Sequence, residues 1–209
     1  MDAPRAVGPA PLRGCRRMRL ILMGPPGSGK GTQASVIAAR VGVPTISTGD
    51  IFRINVSRET PLGLEAKRYM DAGEYVPDEV TNLMVCDRIA EADAQDGFLL
   101  DGYPRTVAQV EELDAMLSAH DQTIDAVLVL TVDQDEIVQR LLRRAGTQGR
   151  VDDTEDVVRH RQDVYAEQTA PLIDVYADRG LLLQIDGMGS VDQVSARVFD
   201  ALETRASAG

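Results

Sequence analysis

The densest concentration of chemistry in the chain is Gly24-Pro25-Pro26-Gly27-Ser28-Gly29-Lys30-Gly31-Thr32. Glycines at these intervals let the backbone curl into a concave nest whose N–H groups converge on an anion. An apolar run, Arg19–Met23, precedes the loop and a helical pattern, Gly31–Val41, follows it. The nest therefore opens onto a helix N-terminus, which adds partial positive charge, and Lys30 can reach outer phosphates. The predicted chemistry is phosphate binding. A strict P-loop carries Ser or Thr directly after its Lys; here Gly31 stands there and the hydroxyl of Thr32 comes one residue later. A dinucleotide fingerprint is disfavoured, because Thr32 occupies the place of the third glycine.

Arginine is the second signal. Lysine occurs only at Lys30 and Lys67; arginine suits a bidentate grip on phosphate or carboxylate. Arg140 and Arg144 are i and i+4, on one face near a helix C-terminus. Arg143 reads instead as a solvated residue favouring the helix dipole. Arg144 and Arg150 flank a loop containing Gly146 and Gly149. Arg161 and Tyr165 are also i and i+4, while Arg159 falls elsewhere and reads as surface. Asp152 and Asp153 also fit ion pairs with the loop arginines, worth little if exposed. Asp101 closes the apolar run Phe98–Asp101, where a strand-end or turn aspartate is the plainer reading. Thr48 fits an N-cap for a helix over Asp50–Val56. Gln109 lies on a predicted helix, with a side chain able both to donate and to accept. His120 and His160 stand alone with no H-E-x-x-H spacing, so neither reads as a metal ligand. Cys15 and Cys86 fit neither a disulfide framework nor a zinc site, and read as free thiols in a reducing cytosol.

The elements that must hold these groups alternate. Arg19–Met23, Val43–Ser47, Phe98–Asp101, Val127–Thr131 and Leu181–Ile185 are short, near-continuous apolar runs, as expected of strands covered on both faces. Helical patterns occupy Pro77–Ala92, Thr106–Ala119, Asp133–Arg144, Thr154–Ala177 and Val191–Thr204. The alternation predicts a parallel α/β sheet flanked by helices. Leu83, Met84, Leu113 and Leu117 are expected in its core. Thr48–Val76, helical and polar, and Arg144–Asp153, short and Arg-rich, interrupt the rhythm and suit mobile flaps.

Length and composition limit the answer. The 209 residues, 44% hydrophobic and 26% charged, fit one globular domain. No apolar run approaches the ~18 residues of a membrane span. A net charge of −11 argues against a general nucleic-acid binder. Residues 1–17, rich in Pro, Gly and Arg, lack the apolar stretch of a secretory signal. They read as a disordered extension, with Met18 as an alternative functional start.

Four blocks in register, GPPGSGKGT, STGD (Ser47–Asp50), FLLDGYPR (Phe98–Arg105) and QTAPLIDVY (Gln168–Tyr176), together resemble the adenylate kinase family. The resemblance runs from about Met18 to the C-terminus, and the family's GKGT accounts for the displaced hydroxyl. It implies a P-loop NTPase-type α/β fold forming one kinase domain over residues 18–209, with a small helical NMP-binding insert at 47–76 and a short lid at 143–153. It implies transfer of the γ-phosphoryl of Mg-ATP to AMP, giving two ADP. Lys30 and the amides of Gly27, Ser28, Gly29, Gly31 and Thr32 would cradle the ATP phosphates, and Gly187 and Gly189 would pack on its adenine. Asp101, with Asp50 as a weaker partner, would orient Mg²⁺ through water. Thr48, Arg53, Glu74, Tyr75, Val76, Gly102, Tyr103, Pro104, Arg105 and Gln109 match the AMP site. Arg144, Arg150 and Arg161 match arginines that fold over the phosphates, and Arg140 joins them. Some relatives carry four zinc-binding cysteines in a longer lid; this lid has none, so zinc is not expected.

Phosphoryl transfer to a phosphate acceptor needs no general base, because that oxygen is largely ionised above a pKa of about 6. The resemblance therefore leaves the work to positioning and to cations, and to a lid that excludes water. From its thiols, its charge and its lack of a large apolar surface stripe, the chain also reads as a cytoplasmic monomer with no nucleic-acid or membrane partner. Rival readings are a UMP/CMP-type kinase, a small-metabolite kinase of the shikimate type and a non-catalytic nucleotide sensor. The donor base, ATP or GTP, is left to the resemblance.

Overall fold

The apolar runs lie side by side in one sheet whose faces are both covered. The computed structural model of the protein describes residues 18–133, 136, 137, 140, 141 and 155–208. The strands are β1 (Arg19–Met23), β2 (Thr45–Ser47), β3 (Phe98–Asp101), β4 (Ala126–Thr131) and β5 (Leu182–Asp186). They form a five-stranded sheet in the order β2-β3-β1-β4-β5, and each neighbouring pair is parallel. The helices are α1 (Lys30–Val41), α2 (Thr48–Ser57), α3 (Pro61–Ala72), α4 (Asp78–Ile89), α5 (Val107–Ser118), α6 (Glu155–Val164), α7 (Leu172–Asp178) and α8 (Val191–Ala208), with a π-helical turn at Tyr165–Thr169. Residues 136, 137, 140 and 141 are also helical. The expected extension 1–17, the lid 143–153 and Cys15, Arg143, Arg144, Arg150, Asp152 and Asp153 lie outside the described residues.

Alternate strand residues go to opposite faces, as the period of two demands. Leu20 and Leu22 join Ile37 of α1 and Val198 of α8 in one core. Ile21 and Met23 join Leu113 of α5 and Tyr176 of α7 in the other. Each buried Leu or Ile contributes roughly 1.5–3 kcal/mol. A third, smaller core inside the insert contains Phe52, Ala66 and Val76.

Three expectations need correction. Leu83 is 70% exposed, whereas Leu113 and Leu117 are buried and Met84 is partly so. The buried face of α4 carries Thr81 and Val85, four residues apart, and Leu83 stands midway between them on the opposite side. The helix expected over Thr154–Ala177 is broken. Its ladder widens to a π-turn in which the Ala170 amide reaches the Tyr165 carbonyl at 2.9 Å, and Pro171, which has no N–H to give, precedes α7. Thr48–Val76, expected helical, carries the two helices α2 and α3, and after Gly73, which stands at φ +78°, the chain has no regular secondary structure up to Pro77. The N-cap of α2 is Ser47, whose Oγ accepts the Asp50 amide; Thr48 is already helical and uses its hydroxyl elsewhere.

The order places β1 between β3 and β4, so successive connections leave it in opposite directions. The crevice beyond the carboxyl ends of the strands at such a reversal is where open α/β sheets bind ligands. The register aligns Leu22 with Asp101, Ser47 with Asp101 and Thr131 with Asp186. The phosphate loop, the Thr48 helix, the Gly102–Arg105 turn and the Gly187 loop therefore all emerge from one edge.

Candidate active site

The phosphate loop is fixed by glycines that other residues could not replace. Gly27 (φ +89°) and Gly29 (φ +94°) adopt left-handed conformations. A Cβ on Gly27 would lie 2.9 Å from Leu141 and 3.1 Å from Ile137. Lys30 Nζ donates to the carbonyls of Gly24 (2.7 Å) and Pro25 (3.0 Å), folding over the loop that the α1 N-terminus closes. Arg140 spans two segments: it donates to Ser28 O (3.2 Å) and Gly187 O (3.1 Å), and its Nε to Glu136 (2.9 Å). It thus ties the phosphate loop to the Gly187 loop. Arg197 ties the latter from behind, donating to the carbonyls of Asp186 (2.6 Å) and Met188 (2.7 Å).

Above the loop lies a cavity of about 640 Å³, lined among others by Lys30, Asp50, Asp101, Arg140, Arg161 and Tyr165. A narrower pocket of about 70 Å³ is lined by Thr48, Val76, Glu74, Gln109 and others. Gly49, Arg53, Tyr75, Gly102, Arg105 and Arg161 line both, so the two compartments share a wall of arginines.

Arg105 is the most constrained of these. Its Nε donates to Gly102 O at 2.7 Å, and its guanidinium carbon sits 4.7 Å from the centroid of the Tyr75 ring. Its carbonyl accepts the hydroxyl of Thr169 at 2.9 Å, and Thr169 is 2.8 Å from the Tyr75 hydroxyl. The π-turn thus props both the arginine and the ring beneath it. Gly102 stands at φ +81°; a Cβ there would come 2.8 Å from Arg105 and 2.9 Å from Thr48. The Thr48 hydroxyl donates to Gly102 O at 2.9 Å. Tyr103 and Pro104, joined by a cis peptide, line the larger cavity. The buried Tyr103 hydroxyl donates to Asn82 (2.8 Å) and to Gln109 O (3.2 Å).

Burial pushes the Asp101 carboxyl above the usual aspartate range, an effect that Lys30 and Arg105 partly offset. A hard carboxylate held there against cations fits a divalent ion whose remaining ligands are water and phosphate oxygens, as Mg²⁺ prefers. Asp50 also borders the cavity, but its carboxylate is ion-paired to Arg53 within α2. Among the described residues no cluster of three or more His, Cys, Asp or Glu side chains forms a metal cage.

Residues expected on the two sites are thus brought together, except for Gly187 and Gly189, which stand at the end of β5 behind Arg140, and for Arg144 and Arg150, which lie outside the described residues. Arg159 is exposed. His160 meets Glu74 at 2.5 Å and so joins α6 to the insert. Sequence reasoning passed over Asp78, Thr169 and Tyr165 as site residues. Thr169 sits inside a motif block, but Asp78 reads only as an acid in the first turn of a helix.

A phosphate loop after β1, a second pocket across a wall of arginines and a parallel sheet of this order define a P-loop kinase fold of α/β type. The adenylate kinase family model matches residues 22–181. The chain is 68% identical over 186 residues to the adenylate kinase of Nocardioides sp., spanning 89% of this chain and 97% of that one. It is 62% identical over 185 residues to the adenylate kinase of Kocuria rhizophila, spanning 88% and 98%. With the adenylate kinase of Leifsonia xyli subsp. xyli it shares 54% over 186 residues, 89% and 94% of the two chains. The chain belongs to the adenylate kinase family.

Proposed function

We propose that the chain is an ATP:AMP phosphotransferase, moving the γ-phosphoryl of Mg-ATP reversibly onto AMP to give two ADP and so balancing the purine nucleotide pool. The supporting observation is the shared wall: Arg53, Arg105 and Arg161 border both compartments at once. Two polyanions placed there would face each other across guanidinium groups. Transfer spreads charge over the phosphoryl oxygens, and fixed cations stabilise it without reorganisation.

On this reading the amides of Gly27–Thr32 and Lys30 hold the donor phosphates, with Lys30 exchanging its two loop carbonyls for phosphate oxygens. Arg140, bonded to both Ser28 and Gly187, keeps the phosphate loop and the Gly187–Gly189 loop at a fixed separation for one nucleotide. Arg105 has its Nε committed to Gly102, so its terminal nitrogens are the fork offered to the acceptor phosphate. Thr48, Val76 and Gln109 line the base end of the smaller pocket. Arg161, with Arg144 and Arg150 of the lid, completes the cationic cluster. Bound with ATP, Mg²⁺ supplies charge that neutralises the transferring oxygens; Asp101 would hold it, with Asp50 as the weaker partner. Among the described residues no helix is long and apolar enough to cross a membrane, and the reading places a monomeric enzyme in the cytoplasm, where its substrates circulate.

The test is a coupled assay with ATP or GTP as donor against AMP, CMP, UMP, GMP and shikimate. ADP formation from ATP and AMP, at least about 100-fold faster than with other acceptors, is expected. Comparable turnover of CMP or UMP would transfer the assignment to a pyrimidine acceptor; turnover of none would leave a nucleotide-binding module.

A further inference from the structure

The Gln109 side chain is tied at both ends of its amide. Its Oε1 accepts the backbone N–H of Arg105 at 2.7 Å, and its Nε2 donates to Asp78 Oδ1 at 2.6 Å. The other carboxylate oxygen of Asp78 accepts the Thr106 hydroxyl at 2.8 Å, which holds the carboxylate in place. Gln109 is 1% exposed, yet it lines the smaller pocket. A carboxylate only accepts and a backbone N–H only donates. Turning the amide over would set Nε2 against the Arg105 N–H and Oε1 against the Asp78 carboxylate, two repulsive contacts in a buried place. The amide has one permitted sense.

That sense carries information. After its two fixed bonds the amide keeps one hydrogen on Nε2 and one lone pair on Oε1. In one sense this pair complements a base edge with an acceptor at N1 beside a donor at C6, which is adenine. In the other it complements N1–H beside a C6 carbonyl, which is hypoxanthine. An amide free to turn would accept either edge. We infer that Asp78, through Gln109, is a specificity-determining positioning residue that restricts the acceptor to adenine and rejects the inverted edge of IMP. This rests on the reading of the smaller pocket as the AMP site.

The test compares AMP with IMP as acceptors for the full chain at saturating ATP. Wild-type protein is expected to favour AMP by at least about 100-fold in kcat/KM. Asp78→Asn, nearly isosteric, can donate to a reversed Gln109 as readily as accept, so of the two repulsive contacts only the one with the Arg105 N–H still opposes the reversal. It is expected to lower the AMP:IMP ratio about tenfold or more, mostly through KM for AMP, with KM for ATP within about twofold of wild type. Asp78→Glu keeps an acceptor-only group and is expected to hold the ratio within about threefold. An unchanged ratio in Asp78→Asn, or an equal loss on both acceptors, would overturn the inference. So would a loss of discrimination in Asp78→Glu as large as in Asp78→Asn, since packing alone would then explain it. Should Asp78→Asn not melt cooperatively, the Glu variant and Asp78→Ala carry the comparison, with Ala expected to lose the ratio and Glu to keep it. Wild-type protein without AMP turnover would instead remove the AMP reading itself.

Discussion

Arg105 shows how much of the chemistry is set by a single side chain and its supports. The Tyr75 face and the Gly102 carbonyl hold its guanidinium where it borders both compartments, and the Thr169 hydroxyl anchors its backbone carbonyl. Arg105→Lys keeps the charge but loses the planar fork. We expect kcat to fall on the order of 10³-fold, comparable to loss of an arginine finger, with circular dichroism and melting temperature unchanged; near-normal rates would remove Arg105 from the catalytic set. Asp101 makes the complementary point. Its pKa in the folded protein stands above the ordinary 3.8 because of burial, so folding favours its protonated form. The stability it contributes is fully present below pH 3.8 and is lost as pH rises through the raised folded value; at pH 7 the ionised group costs stability. Asp101→Asn should therefore melt higher at pH 7, by roughly 2–4 °C for each kcal/mol recovered, and should lose that advantage as pH falls towards 4, while phosphoryl transfer collapses. A melting temperature at pH 7 below that of wild type would refute this balance of burial against Lys30 and Arg105.

Elements show why part of the site was legible in the sequence and part was not. The phosphate loop and the Asp101–Arg105 turn are contiguous blocks, so residue order alone brings their groups together. The contacts that hold Arg105 and Gln109 in place join residues far apart in the chain: Thr169 lies 64 positions from Arg105 and Asp78 lies 31 from Gln109. No local pattern encodes such meetings; the packing of α4 against α5 and of the π-turn against the Gly102–Arg105 turn creates them. Leu83 failed as a core residue for the same reason, because apolarity did not reveal which face of α4 meets the sheet. Gly63 went unremarked in a helical run, although a Cβ there would lie 2.1 Å from the Asn55 carbonyl oxygen. It lets α3 press against the end of α2, and both helices border the smaller pocket through Arg53 and Met70. Gly63→Ala is predicted to cost about 1–3 kcal/mol through overpacking, and to raise KM for AMP severalfold while leaving KM for ATP unchanged. Thermal melts and two-substrate kinetics check this; equal effects on both substrates would mean that the insert serves more than the acceptor pocket.

At the scale of the whole molecule, the alternation of apolar runs and helical patterns already implied the parallel sheet, and the strand starts fall within two residues of their expected places. The strand order was not in that pattern, since nothing local says that β3 must insert between β2 and β1. That order is what gathers the phosphate loop, the Asp101 turn and the Gly187 loop on one edge of a chain whose net charge is −11. An acidic protein repels nucleotides at long range, so the clustered arginines must overcome the field locally. The central claim is that two nucleotides occupy facing pockets at the same time. Titration calorimetry of AMP into protein saturated with a non-hydrolysable ATP analogue measures this directly. The account predicts one further AMP bound per chain, with the same result when the order of addition is reversed. Mutual displacement of the two nucleotides from a single pocket would contradict it.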